Sequence, residues 1–496
     1  MIVEIPRRRL ALLLATGVIV TGCSPRALRE DTDPGVPIPE AFAAAEGLPA
    51  EVTAPDDWWT AFGDPGLDRA VVEAFEANRG LQQAWARLAQ AEAQSTVAGS
   101  FLYPEVNIDS SAGRSKSLFA FTGQSFYNNR YAVGLGLSWE LDLWRKIANR
   151  AEAATLGAVA GRNDAENTAL LLSGSVTETW FTIQAQAALL ELLTEQTESS
   201  RKFLELVELR YARGVGTALQ VLQQRLQFES VEAEIPDVRT RYETARNALA
   251  VLLGIPPESL ASSGLAPDAG LPDLPPTPEL PSPRELLERR PDLRAALARV
   301  GAADREAAAA VADMLPSIRL SLTGGYQSIK ADTLFDDTVW SIAGNLVQPF
   351  FDAGRRGAEV DRRDAILRER LEAFSERYLV ALREVEDALI RERNQLDLLQ
   401  RVERQVETAR ATLTESELLF VNGQSEYLDV ITALQSLQRL QRQEVSVRLG
   451  LLSNRAALHL ALGGDWTRDL VAPRDDDAPD TSLAATDDQP LPDPDA

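Results

Sequence analysis

Two hydrophobic periods alternate along this chain, and the alternation happens twice. From Leu67 to about Phe101, apolar residues recur at near-helical spacing (Leu67, Val71, Phe75, Leu81, Trp85, Leu88), which predicts one amphipathic helical stretch. At Tyr103-Pro104 the period changes to two. Val106, Ile108, Ser110 and Ala112 alternate with Asn107, Asp109 and Ser111. After a polar loop, Tyr131, Val133, Leu135, Leu137, Trp139 and Leu141 alternate with Ala132, Gly134, Gly136, Ser138 and Glu140. Strands are thus expected at about 104–113 and 130–141. About ten residues with one apolar face, one small or polar face and aromatics near the ends is the pattern of a transmembrane β-strand. A hairpin of a soluble sheet shows the same alternation.

The helical period then returns and persists. Residues 142–212 hold no proline, and Val176, Trp180, Ile183, Ala187 and Leu190 keep the 4-3-4-3 spacing of a coiled-coil seam. A turn around Gly214 leads into a returning helix at about 219–254, where Pro236 is expected to kink or interrupt the helix.

The second half repeats the first. After Leu315-Pro316, Ile318, Leu320, Leu322 and Tyr326 alternate with Arg319, Ser321, Thr323 and Gly325. Trp340, Ile342 and Leu346 then alternate with Ser341, Ala343 and Asn345, so strands are expected at about 316–327 and 338–349. A long helix at about 352–421 follows, then a turn around Gly423 and a returning helix at about 427–463. The long helix carries one heptad row of Leu382, Leu389 and Leu396. A second row holds Val385, Leu399, Val406, Leu413 and Phe420 and is interrupted by Glu392. The copies align at an offset of 423 − 214 = 209, which also sets Gly254 on Gly463. This is a duplicated helical hairpin with a tight tip. Glycine suits such a tip because the left-handed residue that ends a helix costs it nothing sterically.

The repeats span residues 56–254 and 284–466, joined by a proline-crowded crossover at 255–283. Each long helix, at roughly 70 residues, spans about 105 Å, far too long and too charged for a bilayer. It must project into water. Four strands cannot close a barrel, and an open edge cannot sit in lipid with its N–H and C=O groups unsatisfied. Three chains pooling their strands would make a 12-stranded barrel with a lumen. The competing architecture is a periplasmic coiled-coil lipoprotein without a pore.

The ends add a location. Arg7-Arg-Arg9, the apolar run Leu10 to Val20 and Thr21-Gly22 precede Cys23, the single cysteine. Residues 1–22 read as a signal peptide too short to remain as a span. Cys23 stands where a bacterial lipobox places its lipidated residue, with Val20 where leucine is usual. Acyl chains there would anchor the mature end at about 0.8 kcal/mol per buried CH₂. Ser24, in place of aspartate, points to the outer membrane. Residues 23–55 read as an extended tether and 467–496 as an acidic disordered tail.

Composition narrows the function. The net charge of −24 excludes a nucleic-acid partner. One cysteine and one histidine, His459, leave no zinc set and no obvious triad. With no phosphate loop and no His-Glu-x-x-His, no catalysis, cofactor or metal is expected.

The duplicated aromatic-x-x-Gly tips, Leu209-Arg-Tyr-Ala-Arg-Gly-Val-Gly-Thr217 and Leu418-Leu-Phe-Val-Asn-Gly-Gln-Ser425, set between long helices with a strand pair in each half, resemble the outer-membrane factor (TolC) family. With the lipobox, the chain is most similar to its NodT-like lipoprotein branch. The resemblance runs from about Trp58 to Trp466. It implies a mainly α fold with a β-barrel portion: a homotrimer with a 12-strand outer-membrane β-barrel continuing into a 12-helix periplasmic α-barrel. It implies the passive exit duct of a tripartite efflux system for drugs and toxic compounds in a Gram-negative bacterium. The partners would be outer-membrane lipids, a periplasmic adaptor (membrane fusion) protein and an inner-membrane transporter of the RND type. The resemblance sets Asp429 at a periplasmic gate, with Leu428, Thr432 and Gln220 around it. Three Asp429 side chains near a threefold axis would repel one another and attract cations. An exposed acid favoured by a helix N-terminus is the plainer account. The adaptor-docking tips would be Gly214, Val215, Gly216 and Thr217 with Gly423, Gln424 and Ser425. The family's second acid is replaced by Thr432 and its tip arginine by Ser425, so the latch is weaker or differently wired. Gln220 stands opposite Asp429, leaving one ring of acids.

Overall fold

Two helices of 67 residues each, α3 (Lys146–Ala212) and α7 (Arg355–Val421), each about 100 Å long, organise the protein, seen here in a computed structural model that describes residues 26–28, 33–45, 57–118, 123–265, 267 and 270–471. Cys23, the signal segment and the acidic tail beyond Val471 lie outside the described residues. The first half runs α1 (Pro65–Ala77), α2 (Arg79–Ser100), β1 (Glu105–Leu118), β2 (Ser125–Leu141), α3 and α4 (Ala218–Leu252). The second runs α5 (Leu286–Arg289), α6 (Pro291–Ala312), β3 (Ser317–Ser328), β4 (Thr338–Val347), α7 and α8 (Tyr427–Leu462). The helices lie side by side in the order α2-α3-α6-α7 toward the strands and α4-α3-α8-α7 toward the tips.

The packing concentrates at the waist of the long helices. Trp58, Trp59, Phe62 and Trp466 close over Leu67 and Val71 of α1 and over Val176, Trp180 and Ile183 of α3. Asp64 ties this knot. It caps α1 through the N–H groups of Gly66 and Leu67, and it accepts from Trp180 Nε1 at 2.7 Å and Gln184 Nε2 at 2.9 Å. His459 stacks on Trp58 at 5.2 Å. Burial, with the Arg455 charge nearby, holds its imidazole down to about 3, so it is a neutral packing residue at physiological pH. The equivalent core on the second repeat gathers Tyr378, Val385 and Leu389 of α7 with Leu286, Leu293 and Leu458.

Glu392, which breaks the heptad row, is fully buried and bidentate to Arg455 of α8, both contacts at 2.8 Å. Arg455 also donates to the carbonyls of Pro275 and Pro276 in the crossover. One buried pair thus fastens α7, α8 and the segment joining the repeats.

Several local expectations are corrected. The helical stretch from Leu67 to Phe101 is two helices, because Asn78 caps α2 by accepting from Leu81 N at 3.0 Å and donates to Leu252 O. β1 and β2 extend through most of the expected polar loop, since their pairing continues to Leu118↔Ser125 and Arg114 lies over the Tyr127 ring. The long helices start later than residues 142 and 352. Asp142 instead caps α3 from outside through the N–H groups of Ile147 and Ala148, and Gly354 takes a left-handed conformation at φ 83° before α7. Pro236 does not interrupt α4; it lies on the exposed side, where the carbonyl its ring leaves unpaired is open to solvent. Part of the tether is not free. Residues 33–45 lie along α7, where Glu386 accepts from the N–H groups of Ala43 and Ala44, Ser375 bonds the carbonyl of Pro34, and Phe42 is buried.

Candidate functional site

The four strands form one antiparallel sheet in the order β1-β2-β3-β4. Its register sorts the two faces. Val106 pairs with Leu137, Leu137 with Leu322 and Leu322 with Ile342, while Ile108 pairs with Leu135 and Ile318 with Leu346. Asn107↔Gly136↔Thr323↔Ser341 runs across the other face, beside Arg319 and Glu140, which pair at 3.2 Å. The large apolar residues Val106, Ile108, Leu135, Leu137, Leu322, Ile342 and Leu346 are therefore on one side, and Asn107, Glu140, Arg319, Thr323 and Ser341 on the other. Among the described residues no protein layer covers the apolar side: Ile108 is 79% exposed, Trp340 76% and Ile342 71%. Such a face has to meet lipid or another chain. The outer edges of β1 and β4 have no strand partner among the described residues. No described helix is long and apolar enough to cross a membrane, so this sheet is the part of the chain shaped for one.

At the opposite end, both hairpin tips close on a left-handed glycine, Gly214 at φ 77° and Gly423 at φ 72°. Val215 N bonds Arg210 O at 3.0 Å and Gln424 N bonds Leu419 O at 2.8 Å, ending the long helices alike. Gly216 and Thr217 complete the first turn. Thr217 then caps α4, accepting from Gln220 N while Gln220 Oε1 accepts from Thr217 N, a reciprocal capping box. Gln220 therefore serves the start of its own helix. Thr217→Ala is expected to cost about 0.5–2 kcal/mol locally, seen as faster amide exchange in the first turn of α4; unchanged exchange there would refute the cap.

Asp429, Leu428 and Thr432 lie on the exposed stripe of α8, while Tyr427, Val430 and Ile431 on its inner face pack with Phe420 and Val207. That outer stripe and α7 border a groove of about 970 Å³, which also holds Ser425, Arg401 and Arg404. Asp429 thus shares its groove with two arginines, which the sequence reading did not anticipate. Ser425 is half-buried with its hydroxyl unpartnered, whereas Val215 and Gln424 are exposed.

The tips also carry a feature that periodicity missed. Three buried glutamines, Gln224, Gln227 and Gln438, zip α4, α3 and α8 together: Gln224 Nε2 donates to Ser200 O at 2.8 Å and Gln227 Nε2 to Gln438 Oε1 at 2.8 Å, while the exposed Gln435 donates through Nε2 to Gln227 Oε1 at 2.7 Å. Tyr427 donates to Gln224, and burial pushes its phenol up. The signal was the spacing of Gln224 and Gln227 against Gln435 and Gln438. Among the described residues, no group of three His, Cys, Asp or Glu side chains is gathered as a metal would require.

The outer membrane efflux protein family matches residues 70–255 and 282–464. A pyoverdine export outer membrane protein, OpmQ of Pseudomonas putida, is 30% identical over 444 residues, covering 88% of this chain and 93% of that one. The cation efflux system protein CusC of Escherichia coli is 27% identical over 468 residues, covering 91% and 98%. Among solved structures, the outer-membrane channel OprN superposes with a TM-score of 0.83 at 26% identity, covering 90% of this chain and all of that one. The outer membrane protein VceC of Vibrio cholerae superposes at 0.76 and 27%, covering 83% and 99%. A long helical body ending in a two-faced sheet, matched in both repeats, makes this chain a member of the outer membrane efflux protein family, a channel of the outer membrane.

Proposed function

We propose that three copies of this chain join edge to edge, β4 of one against β1 of the next, into a 12-strand barrel. The helices continue below it as a 12-helix periplasmic tunnel. The observation that carries this is a sheet with one apolar face, one polar face and two edges unpaired among the described residues, which can sit in lipid only when closed. The polar face then lines the lumen and the apolar face meets the outer-membrane lipid. The duct is passive, and it works without catalysis, a metal or a cofactor of its own. A periplasmic adaptor docks at the tips around Gly214–Thr217 and Gly423–Ser425, and an inner-membrane transporter of the RND type supplies the energy. Leu428, Asp429 and Thr432 narrow the periplasmic mouth, with Gln220 holding the neighbouring tip in shape. The lipid on Cys23 tethers the N-terminus to the same membrane. Native mass spectrometry of the detergent-extracted protein is expected to give three times the mass of the chain. A monomer would contradict the proposal.

A further inference from the structure

A second cavity, of about 790 Å³, opens where the helices meet the strands. It reaches Ala98 on α2, Arg150 on α3, Arg299 on α6 and Arg370 on α7. Since α2 and α7 are the outer members of the four-helix layer, a cavity touching both lies on one face of it. Glu140, from the polar side of the sheet, also lines the cavity, so this face continues the polar side of the strands. The N-terminal segment marks the other side: Arg26 holds Asp364 and, at 3.7 Å, Asp304. At about 100° per residue these acids lie on different stripes of α7 and α6 from Arg370 and Arg299.

The cavity is cationic in an acidic protein. Lys146, Arg150, Arg299, Arg363 and Arg370 face Glu140 and Glu306, so its charge is +5 − 2 = +3 in a chain of −24. Three of the cations are held: Lys146 by Glu140, Arg299 by Asp164, and Arg363 by Glu306 at 3.2 Å and Glu359 at 2.8 Å. Arg150 and Arg370 make no side-chain hydrogen bond or ion pair among the described residues, and both are exposed at the rim. Ile147, Ala153 and Ile366 give the cavity an apolar floor. An apolar pocket of this volume with a few convergent charges has the form of a small-molecule site, and guanidinium groups pair well with carboxylate, sulfonate or phosphate.

We propose that this cavity binds a small organic anion with an apolar body, one per chain, on the lumen side of the junction. Arg150 and Arg370 grip the anion and the apolar floor takes the body. The inference deepens the duct reading and rests on it, because only in the assembled channel does this face line the path of the exported molecule.

The test uses the full chain in nanodiscs and 1-naphthalenesulfonate as probe, followed by isothermal titration calorimetry. Saturable binding of one probe per chain is expected, weakened at least about ten-fold in Arg150→Gln/Arg370→Gln and for neutral 1-naphthalenemethanol. No saturable binding to the wild type, equal affinity in the double variant, or equal affinity for the neutral alcohol would overturn the proposal. Neither arginine carries a bond in the fold, so the variant is expected to keep the native assembly mass. Conductance steps from the same preparations test the duct separately, so loss of the site and loss of the channel are told apart.

Discussion

Glu392→Ala is expected to lower stability by about 3–5 kcal/mol per chain, because it leaves the Arg455 guanidinium buried and without its counter-charge. Glu392 and Arg455 have side-chain exposures of 0% and 1%, so the guanidinium loses its counter-charge in an environment shielded from bulk water. Arg455 is also the donor that holds Pro275 and Pro276, so the damage extends to the crossover. Two readouts follow: a fall in the apparent melting temperature by circular dichroism, and new proteolytic cleavage between residues 255 and 283. Replacing both partners, Glu392→Leu with Arg455→Met, is expected to recover much of the stability, since an apolar pair of similar volume needs no counter-charge. An unchanged melting temperature in Glu392→Ala would refute the buried pair.

The second large effect separates the faces of the sheet by one residue. Ile342→Arg puts a charge in the middle of β4 on the apolar side, opposite Leu322. At the bilayer midplane this costs about 2–4 kcal/mol per chain, and a trimer carries it three times. Assembly into the outer membrane should fail or fall sharply. Ser341→Arg, its neighbour, points to the polar side opposite Thr323, where the hydroxyls of Ser341 and Thr323 meet at 2.8 Å, and is expected to assemble. The readout is the amount of SDS-resistant oligomer in outer-membrane fractions. Equal assembly of the two variants would contradict the assignment of lipid and lumen faces.

The strands were legible because each meets two different solvents. A strand with lipid on one side and water on the other must alternate, so Tyr131 to Leu141 announced both its conformation and its sidedness. The duplication was legible because tip geometry tolerates few residues, and Gly214 and Gly423 both keep positive φ. What stayed hidden depends on partners distant in sequence. Glu392 looked like a flaw in a heptad row until Arg455, 63 residues on, supplied its counter-charge. The extra length of β1 and β2 is carried by Arg114, Lys116 and other polar residues, whose pairing follows from the register and not from hydropathy. The strap of residues 33–45 on α7 was read as free chain because a proline-rich composition does not say whether a surface awaits it. At the tips, the sequence brought Leu428, Asp429 and Thr432 to one stripe, but Gln220 is taken up in the cap of its own helix, and nothing in a linear motif placed Arg401 and Arg404 along the groove that Asp429 also lines.

The central claim is a trimeric duct narrowed at the tips, and conductance of the purified protein in a planar bilayer tests it most directly, wild type beside Asp429→Ala. Discrete steps are expected in both, larger or less cation-selective in the variant, because three carboxylates leave the constriction. Steps that ignore the substitution would keep the channel and remove Asp429 from its gate. Silence from both, together with a monomeric mass in detergent, would contradict the duct itself.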